Sequence, residues 1–168
     1  HPGDFDGEAL RPYNVQPDAL LLNYKSVVMT FVPNPGNGTA SINFDPPLAS
    51  VQMQASVQMQ ASVPLSASGN GGGALAQCGD YRAQLKPDFA DPFRMAFSGT
   101  YPVACGEKTW SIAYPDPASY GARAIAGLWQ EMGGKLGGRV RDGAAPAGLV
   151  PVCEMESPSL AEVIRDIS

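Results

Sequence analysis

Apolar and polar positions along the chain follow two periods: a period of two that dominates as far as Ala113, and helical spacing that takes over at Asp116. Ala19–Tyr24 and Ser26–Val32 are apolar, β-branched runs of strand length. Pro33-Asn34-Pro35-Gly36-Asn37-Gly38 is a turn sequence leading into Thr39–Phe44, so a hairpin is predicted there, closed by Asp45-Pro46-Pro47. Ahead of it, His1–Pro17 reads as an irregular approach. Next comes a duplication. Ala49-Ser50-Val51-Gln52-Met53-Gln54 recurs as residues 55–60 and is followed by Ala61-Ser62-Val63, alternating without a break over 15 positions. At about 3.3 Å per residue that is one strand of roughly 50 Å, far longer than a common strand, so an interruption or a projecting half is expected. A slip by one six-residue unit keeps every side chain on its face, and the pattern therefore cannot set the register by itself.

Leu65–Gly73 reads as a Ser/Gly/Asn loop. Beyond it, Asp80–Leu85, Phe93–Ser98 and Thr109–Ala113 are predicted strands, separated by Lys86-Pro87-Asp88, Asp91-Pro92 and Tyr101-Pro102. Asp116 is placed to cap a helix and Pro117 suits its first position. Tyr120, Ala124, Ile125, Leu128, Trp129 and Met132 form an apolar stripe that ends at Gly133-Gly134, with Tyr120 and Trp129 read as core anchors. Lys135–Val140 and Val150–Met155 are expected to flank the next turn as strands. A second helix is predicted after a Ser157 cap and Pro158, with Leu160, Val163, Ile164 and Ile167 at i, i+3, i+4 and i+7. Its stripe is still running where the chain stops, and its apolar face is expected to meet another surface. The fold class is α+β: a β-rich chain with one long amphipathic helix and a shorter C-terminal helix.

Composition narrows the chemistry. The chain has 168 residues, enough for one domain or two small ones. Its net charge is −5, the wrong sign for neutralising phosphates, so nucleic acid is not an expected partner. Charged residues make up only 16%, while 19 glycines and 16 prolines point to a turn-rich protein. No apolar run approaches the roughly 18 residues that would span a bilayer, so no membrane span is expected. The single histidine is His1, which removes Ser-His-Asp, Cys-His and His-ligated zinc chemistry. The first residue is not Met, and the chain is expected to be processed or cut from something longer. Cys78, Cys105 and Cys153 have no Cys-x-x-Cys spacing, so no metal site is expected. The residues alone leave two readings open: a bridge between Cys78 and Cys105, or three reduced buried thiols. Gly69-Asn70-Gly71-Gly72-Gly73-Ala74 matches a dinucleotide string, but without a strand before it or a helix after it no cofactor is implied. Asp4-Phe5-Asp6-Gly7-Glu8 looks like the start of a calcium loop but lacks the glutamate at the twelfth position. Glu154 and Glu156 share a face only if a strand runs through them, and are weak acid/base candidates.

Four segments resemble the penicillin-binding protein 4 type of D-alanyl-D-alanine carboxypeptidase. They are Phe5-Asp6-Gly7-Glu8 with Arg11-Pro12-Tyr13-Asn14; Asp18-Ala19-Leu20-Leu21-Leu22-Asn23-Tyr24; Tyr114-Pro115-Asp116-Pro117-Ala118-Ser119-Tyr120; and Glu156–Ile167. The resemblance implies a periplasmic serine hydrolase of peptidoglycan stem peptides, built from a transpeptidase-like catalytic domain with smaller β-rich domains inserted. Its chemistry rests on Ser-x-x-Lys, Ser-x-Asn and Lys-Thr-Gly. The chain has no Ser-x-x-Lys. Ser41-Ile42-Asn43 falls in a predicted strand and Ser68-Gly69-Asn70 in a Gly-rich loop, and Lys108-Thr109-Trp110 has Trp in place of the last glycine. Residues 1–168 are therefore expected to be the inserted accessory region, a β-rich domain with a sub-domain, carrying no catalytic, cofactor or metal residues of its own. The resemblance also implies a Cys78–Cys105 disulfide, leaving Cys153 as a buried odd thiol. Expected partners are peptidoglycan or the missing catalytic domain, with self-association through the C-terminal helix. The alternative is a stand-alone peptidoglycan-binding or structural module.

Overall fold

A computed structural model of the chain describes residues 6–7, 11–60 and 78–167. Six strands form one sheet: β1 (Ser26–Asn34), β2 (Thr39–Asp45), β3 (Gln52–Gln60), β4 (Leu85–Asp91), β5 (Arg94–Pro102) and β6 (Lys108–Ala113). Two helices follow, α1 (Pro117–Glu131) and α2 (Leu160–Ile167), so the class is α+β as expected. The strand order is β4-β5-β3-β2-β1-β6. Only β3 and β5 pair in parallel, over nine positions from Gln52↔Arg94 to Gln60↔Pro102.

The sheet curls. β5 and β1 lie three places apart, roughly 14 Å if the sheet were flat. Yet the rings of Phe31 on β1 and Phe97 on β5 meet at 5.3 Å, and Phe31 stacks on Tyr101 at 5.8 Å. Phe97 also reaches Trp110 on β6, four places away, at 6.1 Å. The curl wraps the core, in which Val27, Met29, Phe31, Val57, Met95, Phe97, Tyr101 and Ile112 are buried. The bend falls between β2 and β3, which pair at only two positions, Thr39↔Gln58 and Ala40↔Val57.

The β1–β2 hairpin forms with the predicted turn between its strands. The duplicated segment is interrupted at Ser50, whose φ of +64° turns the chain before Gln52; Ala61-Ser62-Val63 and Leu65–Gly73 lie outside the described residues. Of the two valines that the duplication makes equivalent, Val57 is buried and Val51 only half-buried, so the core distinguishes copies that the alternation does not.

Other expectations are corrected. Ala19–Tyr24 is not a strand: Leu22–Lys25 is a 3₁₀-type turn with Asn23, Tyr24 and Lys25 at φ of 44°, 51° and 49°. Asp18 Oδ1 accepts the Leu20 N–H at 2.9 Å and Asn23 Nδ2 donates to Ser26 O at 3.0 Å, local bonds that replace a ladder. Likewise Asp80 Oδ1 accepts the Arg82 N–H at 3.1 Å, so Tyr81–Gln84 becomes a 3₁₀ turn before β4 begins. Lys86-Pro87-Asp88 lies inside β4, an edge strand on which a proline's missing N–H can face water. Neither Lys135–Val140 nor Val150–Met155 is a strand. The first carries two glycines at its centre, and in the second Val150, Val152 and Met155 are almost fully exposed, with no sheet to pack on.

Helix α1 has Pro117 at its start, but Asp116 makes no side-chain capping bond. It docks through Tyr120, Ala124 and Gly127, all buried. A Cβ on Gly127 would collide with the Pro47 carbonyl, so glycine permits the close approach. Trp129, expected in the core, is 45% exposed because two positions past Gly127 turn it about 200° off the face that carries Tyr120, Ala124 and Gly127. In α2 the cap is Ser159 rather than Ser157. Its Oγ accepts the Glu162 N–H at 3.3 Å, while Glu162 Oε2 accepts the Ser159 N–H at 2.8 Å, a reciprocal capping box. The Ser159 N–H holds the Glu162 carboxyl below its ordinary pKa.

Candidate functional site

Strand β6 alternates inward and outward. Trp110 and Ile112 turn to the core opposite Met29 and Val27, and Thr109 and Ser111 are exposed. The 3₁₀ turn Tyr81–Gln84 crosses above this strand. Its Tyr81 hydroxyl donates to Thr109 O at 2.9 Å, and the Arg82 guanidinium lies 5.2 Å from the Trp110 ring and 5.6 Å from that of Tyr81. Such cation–π stacking holds a charged head against an apolar platform. On the opposite flank stands the 3₁₀ turn Pro12–Asn14. Asp6 accepts bonds from the Tyr13 hydroxyl and Asn14 Nδ2, both at 2.7 Å, and Arg11 Nη1 donates to the Tyr13 oxygen at 3.1 Å. The bond to Asp6 raises the Tyr13 pKa. Between these flanks runs a cleft of about 620 Å³ with the outer edge of Thr109–Ile112 as its floor.

A second polar focus is structural. The Tyr120 hydroxyl donates to Ser26 O at 2.8 Å, beside the Asn23 bond to the same oxygen. Ser26 Oγ returns a bond to Asn23 O at 2.5 Å, and the Tyr114 N–H donates to Lys25 O at 2.8 Å. Lys25, nearly buried, forms an ion pair with Asp18, and the bond from Lys25 lowers the Asp18 pKa. Burial pushes the Tyr120 hydroxyl up to about 12. A third hollow, along α1, is occupied in holding the fold: Arg123 donates to Ser119 Oγ at 2.8 Å and to Ala49 O at 3.2 Å, and stacks over Phe93 at 4.3 Å.

Cys78 and Cys105 are joined in a disulfide that ties the start of the Tyr81–Gln84 turn to the end of β5. Cys153 is exposed rather than buried, because the chain around it lies off the sheet. Ser41 and Asn43 point outward from β2 on either side of buried Ile42, and Ser41 Oγ donates to Val32 O at 3.3 Å. Lys108-Thr109-Trp110 opens β6. Glu154 and Glu156 stand exposed outside any strand. Gly69–Ala74 and Ser68-Gly69-Asn70 lie outside the described residues, as does Asp4. Among the described residues no three His, Cys, Asp or Glu side chains gather as metal ligands, and no helix is long and apolar enough to cross a membrane. Sequence reasoning did not single out the β6 cleft. Its signal was the contrast between Lys-Thr-Trp-Ser-Ile-Ala, free of Pro and Gly, and the Pro-interrupted Leu85–Asp91.

No family model matches the sequence, and no curated protein matches it. Among solved structures the chain is similar to penicillin binding protein 4 (dacB) from Haemophilus influenzae, with 17% identity and a TM-score of 0.49. The match covers 76% of this chain and 25% of that one, so the chain spans about a quarter of that protein's length.

Proposed function

We propose that this chain is the inserted, non-catalytic region of a serine-type D-alanyl-D-alanine carboxypeptidase that acts on peptidoglycan in the periplasm. The observation that carries the reading is that residues bearing the sequence resemblance bind one another. Tyr120 and Asn23, from two of those segments, share the Ser26 carbonyl, and Tyr114 closes the ladder on Lys25 next door. Asp6, Tyr13 and Asn14, from another, form their own knot. These residues occupy joints of this fold, which is what a shared scaffold requires of matched positions. The Cys78–Cys105 disulfide fits an oxidising compartment. In this reading residues 1–168 are accessory, and a Ser-x-x-Lys nucleophile and a Ser-x-Asn motif stand in the flanking sequence.

Intact mass after incubation with a labelled penicillin tests this, applied to the chain and to the product of the complete coding sequence. One adduct on the complete product and none on the chain is expected. An adduct on the chain itself, or flanking sequence without either motif, overturns it.

A further inference from the structure

We propose that the outer edge of β6 is a docking site for an extended acidic peptide, which adds to the sheet as a further strand beyond β6. The inference is independent of the enzyme family suggested above.

The first ground is the set of backbone groups left at that edge. Hydrogen-bonded and non-hydrogen-bonded pairs alternate along an antiparallel ladder. The Tyr114 N–H bonds to Lys25 O, and the register runs on through Val27↔Ile112 and Met29↔Trp110. Ile112 and Trp110 therefore spend their N–H and C=O groups on β1, as Tyr114 spends its N–H on Lys25, while those of Thr109, Ser111 and Ala113 point away from it. Among the described residues only the Thr109 carbonyl has a partner on that side, the Tyr81 hydroxyl. Such a row of donors and acceptors is a template for another strand.

The second ground is the difference between the two edges of the sheet. β4 is blunted by Pro87, by a register shift between Asp88 and Asp91, and by three charged residues among its seven. β6 keeps an unbroken six-position register with β1. Its one charge is Lys108, at its start.

The third ground is charge. The Arg82 guanidinium stacks on Trp110 above the cleft, and neither it nor Lys108 has a carboxylate partner among the described residues. Two cations without a carboxylate partner among the described residues, beside that edge of a chain of net charge −5, favour an occupant that brings its own carboxylates. A second copy of β6 would instead bring another Lys108 and Arg82 to the same edge. An extended strand supplies main-chain bonds for affinity and alternate side chains for specificity, and the cleft of about 620 Å³ falls in the range of small-ligand sites. An acidic side chain over Arg82 would form a charge-assisted bond on a guanidinium already oriented by its two rings.

The test is an NMR titration of the isotope-labelled full chain with acetyl-Val-Glu-Val-Glu-Val-amide, and with the Val-Lys-Val-Lys-Val counterpart. The acidic peptide is expected to shift and protect the Thr109, Ser111 and Ala113 amides, and to bind at least tenfold more tightly than the basic one. Arg82→Glu should weaken it tenfold or more. Ser111→Pro removes an outward N–H without touching a bond to β1, and should abolish binding; should that variant fail to fold, Arg82→Glu carries the test alone. No shift at these amides, equal binding of the two peptides, or binding unchanged in Arg82→Glu overturns the proposal. So does concentration-dependent self-association through β6 that the acidic peptide does not compete away.

Discussion

The Tyr120 hydroxyl reaches 94 positions back along the sequence to find the Ser26 carbonyl, in a setting where burial strongly favours its neutral form. Tyr101, buried beneath the aromatic cluster with its hydroxyl on Gly106 O at 2.8 Å, is in the same position. Burial raises both from an ordinary 10.0 to about 12. The folded state therefore keeps two protons that the unfolded chain gives up near pH 10. Stability from this source is complete below that pH and is lost as the pH rises through about 12. Urea melts between neutral and strongly alkaline pH should show a steepening loss, with the absorbance of these two tyrosinates appearing late and together with unfolding. Tyr120→Phe should flatten the loss, and at neutral pH should cost about 1 kcal/mol for the missing bond. A Tyr120→Phe variant that titrates like the parent would refute this account.

At the scale of elements, α1 is held by close approach at one glycine and is loose at another. Gly127 faces the Pro47 carbonyl, and the Ala49 N–H on the same connection bonds to Arg123 O at 3.0 Å. Gly127→Ala should lower stability by about 1–3 kcal/mol, because the helix must move off the loop between β2 and β3. Gly121 has only Leu20 Cδ2 at 3.8 Å, so Gly121→Ala should raise stability by roughly 0.5–1 kcal/mol through helix propensity alone. Opposite signs in paired denaturation curves are the check; the same sign in both would contradict this packing. Helix α1 was legible in the sequence because Asp116-Pro117 and Gly133-Gly134 bracket a periodic stripe. The hairpin was legible because its turn residues are concentrated in six positions. What escaped were segments in which a single side chain redirects the backbone: Asp18 and Asn23 before β1, and Asp80 before β4. Each lies beside a segment, apolar at Ala19–Leu22 and alternating at Tyr81–Leu85, that by pattern alone reads as strand. The opposite error arose at Pro87, where only knowledge of the strand order shows that an edge position tolerates it.

For the whole molecule, the disulfide fixes how the Tyr81–Gln84 turn is laid over the sheet. Its cysteines stand 27 residues apart, and closing such a loop stabilises by about 3–4 kcal/mol in the chain-entropy model. Cys78→Ser with Cys105→Ser should lower the urea midpoint accordingly and weaken the Tyr81 bond to Thr109, visible as faster exchange of neighbouring β6 amides. An unchanged midpoint would mean that the turn is held by its aromatic contacts. The β6 cleft could not be read in advance, since it joins residues near positions 11, 82 and 110 and exists only once the sheet curls. Curling in turn depends on the narrow join between β2 and β3. With two paired positions there, continued by the Met59 N–H on Gly38 O at 2.8 Å, against nine between β3 and β5, the backbone is woven as two cloths, β2-β1-β6 and β3-β5-β4, joined by that short ladder and by aromatic side chains across the core. Each cloth is then expected to exchange its amides on its own clock, so that slow exchange inside one need not imply slow exchange in the other.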